Sequence, residues 1–99
     1  MKAFIPQIRI ISVDHDRTVT AMQRLRKSMD RHTLQNYPIR EVFCHLEAGR
    51  CGIPAGIVAI EVEGIIVWRG KELTEKLADD FSTGLPVFLE KYKQDMGFS

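Results

Sequence analysis

The sequence predicts an α/β domain on a four-stranded mixed sheet, a β-α-β half followed by a β-β-α half with an extra helix at the carboxyl end. Three observations lead there. A β-branched run, Ile8, Ile10, Ile11 and Val13, comes just before a long stretch of helical periodicity. Two further apolar runs, residues 57–63 and 65–68, are separated only by Gly64, as in a hairpin. An amphipathic pattern follows the second run directly.

The first run lacks polar alternation, so it reads as a central strand buried on both faces. It ends at "DHDR", where Asp14 or Asp16 can cap a helix and place negative charge at the positive end of its dipole. From Arg17 onward Val19, Met22, Leu25 and Met29 recur at helical spacing, opposite Gln23, Arg24, Arg26 and Lys27. That helix should end near His32 or Leu34, because the residue before Pro38 is pushed out of helical geometry. "IREVFCHL", residues 39–46, gives a second strand, parallel to the first if the helix makes the usual right-handed crossover.

"EAGRCG" is a loop or a single short helical turn. The run from Ile57 then ends in alternation, with Ile60 and Val62 inward and Glu61 and Glu63 outward, before Glu63 and Gly64 turn the chain. "KELTEKLADDF" places Leu73, Leu77 and Phe81 at intervals of four and pairs Glu72 with Lys76 on its exposed side. "STGLP" should stop that helix, with Gly84 as its cap and Pro86 opening a last helix marked by Leu85, Phe88, Leu89, Tyr92 and Met96.

The 99 residues, 44% of them apolar, suit one domain over residues 1–99. Basic residues number 14 and acidic ones 13, so the total charge favours neither a nucleic acid nor a membrane. The distribution is polarised. Residues 1–40 carry eight Lys or Arg against three Asp (+5), and residues 41–99 carry six against ten acids (−4). Much of the positive charge falls on Arg17, Arg24, Arg26, Lys27 and Arg31, which reads as a solvated helix face able to steer a partner. With no interleaved aromatics and no nucleic-acid motif, this segment does not point to a nucleic acid. The amino terminus "MKAFIPQIRIISV" is interrupted by Pro6 and Arg9 and has no small-residue cleavage pattern, so no signal peptide is expected. Two cysteines make no disulfide framework, and a cytoplasmic setting follows as the expectation.

From Gly52 to Phe81 the chain reads "GIP", "AGIVAIEVE", "G", "IIVW", "RG" and "KELTEKLADDF". This order resembles the second half of the thioredoxin superfamily, and a looser likeness extends over residues 8–81. The resemblance implies that Pro54 matches the family's cis-proline and that Ile53 lies against the active-site helix end, its backbone free to pair with an extended peptide. It also exposes a departure. The family's redox centre is Cys-x-x-Cys at the start of the first helix, and here that position reads "VDHDRT".

Dithiol exchange at that centre is therefore excluded, and the expected function is non-catalytic: recognition of a protein partner through Asp14, His15, Asp16 and Arg17 together with Ile53 and Pro54. The alternative is a thiol-dependent redox or sensor protein using Cys51, alone or with Cys44. Cys51, next to Arg50 on a loop, is expected to be exposed with a lowered pKa, and Cys44 to be a buried small residue of the second strand. Helix capping accounts for both Asp residues of "DHD" without a metal, His45 should point away from Cys44, and Phe43 and Trp68 should be core. No cofactor is expected, since no phosphate-binding loop, Ser-His-Asp set or carboxylate pair stands at workable spacing.

Overall fold

A computed structural model describes residues 5–95. Its elements are β1 (Ile8–Ile11), α1 (His15–Arg31), β2 (Ile39–Val42), α2 (His45–Arg50), β3 (Val58–Val62), β4 (Ile65–Gly70) and α3 (Glu75–Asp95). The strands form one mixed sheet in the order β2-β1-β3-β4. β1 runs parallel to β2 and antiparallel to β3, and β3 runs antiparallel to β4. The α/β class, the four strands and their directions are as the sequence predicts.

Alternation along β1 and β3 divides the core in two. Ile8 and Ile10 face the same side as Val62 and Ile60, where Ala21, Leu25 and Met29 of α1 and Ala78, Leu85 and Leu89 of α3 join them. On the other side Ile11 and Ala59 form a smaller cluster with Ala48 of α2 and Ile53. Two long helices therefore cover one face and one short helix the other.

Five expectations are corrected. The helix expected over residues 71–81 begins at Glu75, so Glu72 lies ahead of it and pairs with Arg24 rather than Lys76. Glu61 does not face solvent: it is 7% exposed, opposite Arg9, whose guanidinium reaches it through Nε at 2.6 Å and Nη2 at 2.9 Å. A charge on a covered face is retained only with a partner, and this one has a bidentate one. β2 stops at Val42 rather than Leu46, because the chain there folds over the sheet as α2. β1 likewise stops at Ile11, and α1 begins at His15. Finally, residues 82–86 do not break the last helix. α3 passes through Pro86 without interruption because Ala78, Ser82, Leu85 and Leu89 keep one buried stripe in register across it. The missing N–H and the ring clash cost about 3 kcal/mol, and burying Leu85 and Leu89, about 1.5–3 kcal/mol each, offsets that. Met96, assigned to that helix, lies outside the described residues, as do residues 1–4, which open the stretch read for a signal peptide.

The basic residues of α1 mostly hold the domain together. Arg24 Nη1 donates to Glu72 Oε1 (2.6 Å) and to the Leu73 carbonyl (3.0 Å). Arg26 reaches the carbonyls of Tyr37 and Leu34. Arg31 Nη2 donates to Asp79 Oδ1 at 2.7 Å, and Ser28 donates to the same oxygen while touching Ser82 Oγ. Together they hold the Asp79 carboxyl below the usual carboxylate range, the Ser28 hydrogen bond contributing most. Only Lys27 of these five has no hydrogen bond or ion pair among the described residues.

The first two helices end in the same way. After α1, Thr33 N–H donates to Asp30 O and Leu34 N–H to Met29 O; after α2, Gly52 N–H donates to Gly49 O and Ile53 N–H to Ala48 O. Both are Schellman ends with a left-handed residue, Thr33 at φ 58° and Gly52 at φ 69°. Glycine adopts that conformation freely, whereas β-branched threonine resists it by roughly 1–2 kcal/mol. Thr33→Gly should therefore stabilise the protein by about 1 kcal/mol and Gly52→Ala should destabilise it by about as much, both read from denaturant midpoints. Equal and same-signed effects would contradict the two helix ends.

Candidate functional site

Because β3 is antiparallel to β1 and β4 to β3, the carboxyl ends of β1, β2 and β4 lie at the same edge as the amino end of β3. Loops 12–14, 43–44, 51–57 and 71–74 meet there. β1 leads to α1 on one face and β2 to α2 on the other, so the crevice between these neighbours is a topological switch point, where open α/β sheets commonly bind ligands.

The start of α1 is closed by its own chain. Asp14 Oδ1 accepts from the N–H groups of Asp16 (3.0 Å) and Arg17 (3.3 Å), while Asp14 N–H donates to Ser12 Oγ (3.0 Å). The Thr18 hydroxyl, fully buried, donates to the Asp14 carbonyl at 2.9 Å. Asp14 is the cap, as one of the two expected choices. Arg17 turns toward the end of β4 and donates to the Lys71 carbonyl at 2.6 Å. A cleft of about 230 Å³ lies beside it, walled by Asp16, Arg17, Thr20, Arg24, Lys71 and Glu72, with Ala21, Val58 and Leu73 as its apolar part.

Across the crevice the ring of His15 meets that of Phe43, with centroids 4.5 Å apart and planes tilted by 41°. Phe43, beside His15, is 50% exposed, and Leu46, three residues on, is 77% exposed. Phe43 was expected in the core. It escapes because β2 ends before it, and Trp68 by contrast is partly buried against the main core. Nothing in the local pattern marks Phe43 and Leu46 as surface residues or places Lys71 and Glu72 at the cleft. Gly52 was the available signal: a glycine six residues beyond Leu46 marks the end of a helix, which would have released 43–46 from the strand.

The loop around Pro54 departs from what the resemblance implied. Every peptide bond among the described residues is trans, the Ile53–Pro54 bond included. Ile53 N–H is not free, since it donates to Ala48 O at 2.8 Å, and the side chain is 4% exposed in the second cluster. The sequence "GIP" is thus a helix end, a core plug and an exposed proline that accepts from Ile57 N–H through its carbonyl. Val13, just before Asp14, packs against the same cluster as Ile53, so the two predicted loops do share one end of the sheet.

The cysteines exchange the environments expected of them. Cys44 is exposed at the N-cap of α2, and Cys51, at its C-cap, is half-buried; both are free thiols. Cys51 Sγ lies 3.8 Å from Glu61 Oε2, within the network in which Arg9 Nη2 also reaches Glu47 Oε1 at 3.0 Å. Burial, and then the negative charge of Glu61, push the Cys51 thiol up from its ordinary value, reversing the expected depression. Among the described residues no three His, Cys, Asp or Glu side chains are grouped to hold a metal ion, and no helix is long and apolar enough to cross a membrane.

With a chromogenic disulfide at pH 8, the exposed Cys44 should react first and Cys51 slowly, its rate still rising above the free-cysteine value of about 8.5. In Cys44→Ser only the slow phase should remain. A fast phase surviving in that variant would contradict the placement of Cys51. In comparisons with known proteins, no family profile, no curated protein and no solved structure matches this chain, so its own geometry carries the functional reading.

Proposed function

We propose that this chain is a thioredoxin-like binding module without redox catalysis, which recognises a protein partner through the loop face around Asp14, His15, Asp16 and Arg17. Phe43 and Leu46 add apolar surface, Ile53 anchors the neighbouring loop in the cluster that Val13 also joins, and Pro54 is exposed on that loop. The element order, the strand order β2-β1-β3-β4 and the division of helices over two faces support the thioredoxin-like part of this reading. They speak to the scaffold alone.

One observation carries the function. Where the resembled family uses a helix start to stabilise a thiolate, Asp14 already takes the free N–H groups, and the exposed ring of Phe43 stands against His15 next to it. Interface centres favour an aromatic anchor such as Phe43, which gains from leaving water. A reducing, cytoplasmic setting belongs to the same reading, because Cys44 and Cys51 are unlinked. The arginines of α1 are engaged with their own chain, so steering by that helix contributes less than the charge count suggests.

The test is affinity capture of the tagged full chain from its native cells, comparing wild type with Phe43→Ser/Leu46→Ser. A specific partner should fall about tenfold or more in recovery with the double variant, whose thermal unfolding should be unchanged because both side chains are exposed. Identical recovery would overturn the reading. So would turnover of a disulfide substrate in the presence of dithiothreitol above the uncatalysed rate.

A further inference from the structure

We propose that β2 is a strand-addition edge that accepts an antiparallel extended segment of the partner, in which a basic residue faces Glu41 and the acidic residue next to it faces Arg40. This rests on the protein-binding reading above and names the kind of segment bound.

β2 is the outer strand on the side of the sheet where Phe43 and Leu46 are exposed. The Val42 carbonyl accepts from Ser12 N–H at 2.9 Å, so the backbone groups of Val42 and Arg40 point toward β1. By alternation those of Ile39 and Glu41 point away from the sheet, where an added strand would find them. The opposite edge is less suited to the same use. Pairing of β4 with β3 jumps from Ile66 opposite Glu61 to Trp68 opposite Ile60, which leaves Val67 as an extra residue and bends that edge.

The charges choose the occupant. Each of the chain's other seven arginines donates to, or pairs with, a group of its own chain. Arg40 has no such partner among the described residues, nor has Glu41, and both are exposed. Register with β1 puts Arg40 on the side of Arg9 and α2, and Glu41 on the side of Ile10 and the long helices. A second copy of the chain does not satisfy them. Antiparallel pairing about a two-fold axis centred on this strand sets Arg40 against Arg40 or Glu41 against Glu41, and like charges directly opposite destabilise. A segment reading apolar, any residue, basic, acidic from its amino end answers both charges and brings its apolar residue to Phe43.

The probes are capped synthetic peptides containing Val-Thr-Lys-Glu-Val and the isomer Val-Thr-Glu-Lys-Val, titrated into the isotope-labelled full chain and followed by amide NMR shifts. The first should bind about threefold to tenfold more tightly than the second, with shifts centred on residues 39–43. Arg40→Glu/Glu41→Arg should invert the preference, and Arg40→Ala/Glu41→Ala, which creates no new charge, should abolish it. Equal affinity of the isomers, no binding of either at millimolar peptide, or a preference unchanged in both variants would overturn the proposal. Neither peptide comparison alters Phe43 or Leu46. Equal affinities alongside partner loss in Phe43→Ser/Leu46→Ser would therefore remove strand addition alone and leave the loop face standing.

Discussion

The pairing of Arg9 with Glu61 is the interaction on which the second face of this sheet depends. β1 and β3 are the two inner strands, and both carry apolar residues on both faces, so both faces need cover. One face has two long helices. The other has only the six residues of α2, too few to exclude water by area alone. The guanidinium meets that need by bridging β3 through Glu61 and α2 through Glu47, and the bridge holds the short helix over Ile11 and Ala59. Its own protonated form is stabilised further by the same carboxylates, so each charge answers another where water is scarce. The end of α2 then follows: Ala48 and Ile53 plug the cluster, Gly52 reverses the chain, and β3 begins.

What the sequence displays well is local. Asp14 before an amphipathic stretch, Gly64 between two apolar runs, and the β-branched run from Ile8 each favour one conformation, and the structure adopts it. The failures are places where tertiary burial overrides a local signal. Pro86 is a helix breaker in isolation, yet the buried stripe through Ser82 and Leu85 carries the helix past it. Glu61 alternates like a solvent residue because its partner stands 52 positions away, beyond the reach of any local pattern. Cys44 and Phe43 look like strand interior because their neighbours are apolar, although the chain has already left the sheet.

The candidate site was half visible for the same reason. Asp14, His15, Asp16 and Arg17 follow a recognisable strand-to-helix junction, and switch-point geometry brings that junction to the loop face. Ile53 and Pro54 lie at the same end of the sheet as Val13, but the Ile53 N–H is taken by a helix end, since a glycine, an isoleucine and a proline in succession describe a helix end as well as they describe a strand mouth. Phe43, Leu46, Lys71 and Glu72 became visible only when four separate loops converged.

Asp14 has a consequence for what this surface can respond to. A carboxylate that fills the helix start forms no bond that a reductant could break and stores no electrons between encounters. Molecules that meet the first turn of α1 therefore find the same atoms whether the surroundings are reducing or oxidising, and any response of this end to the electrochemical state of the cell falls to Cys44, exposed at the N-cap of α2.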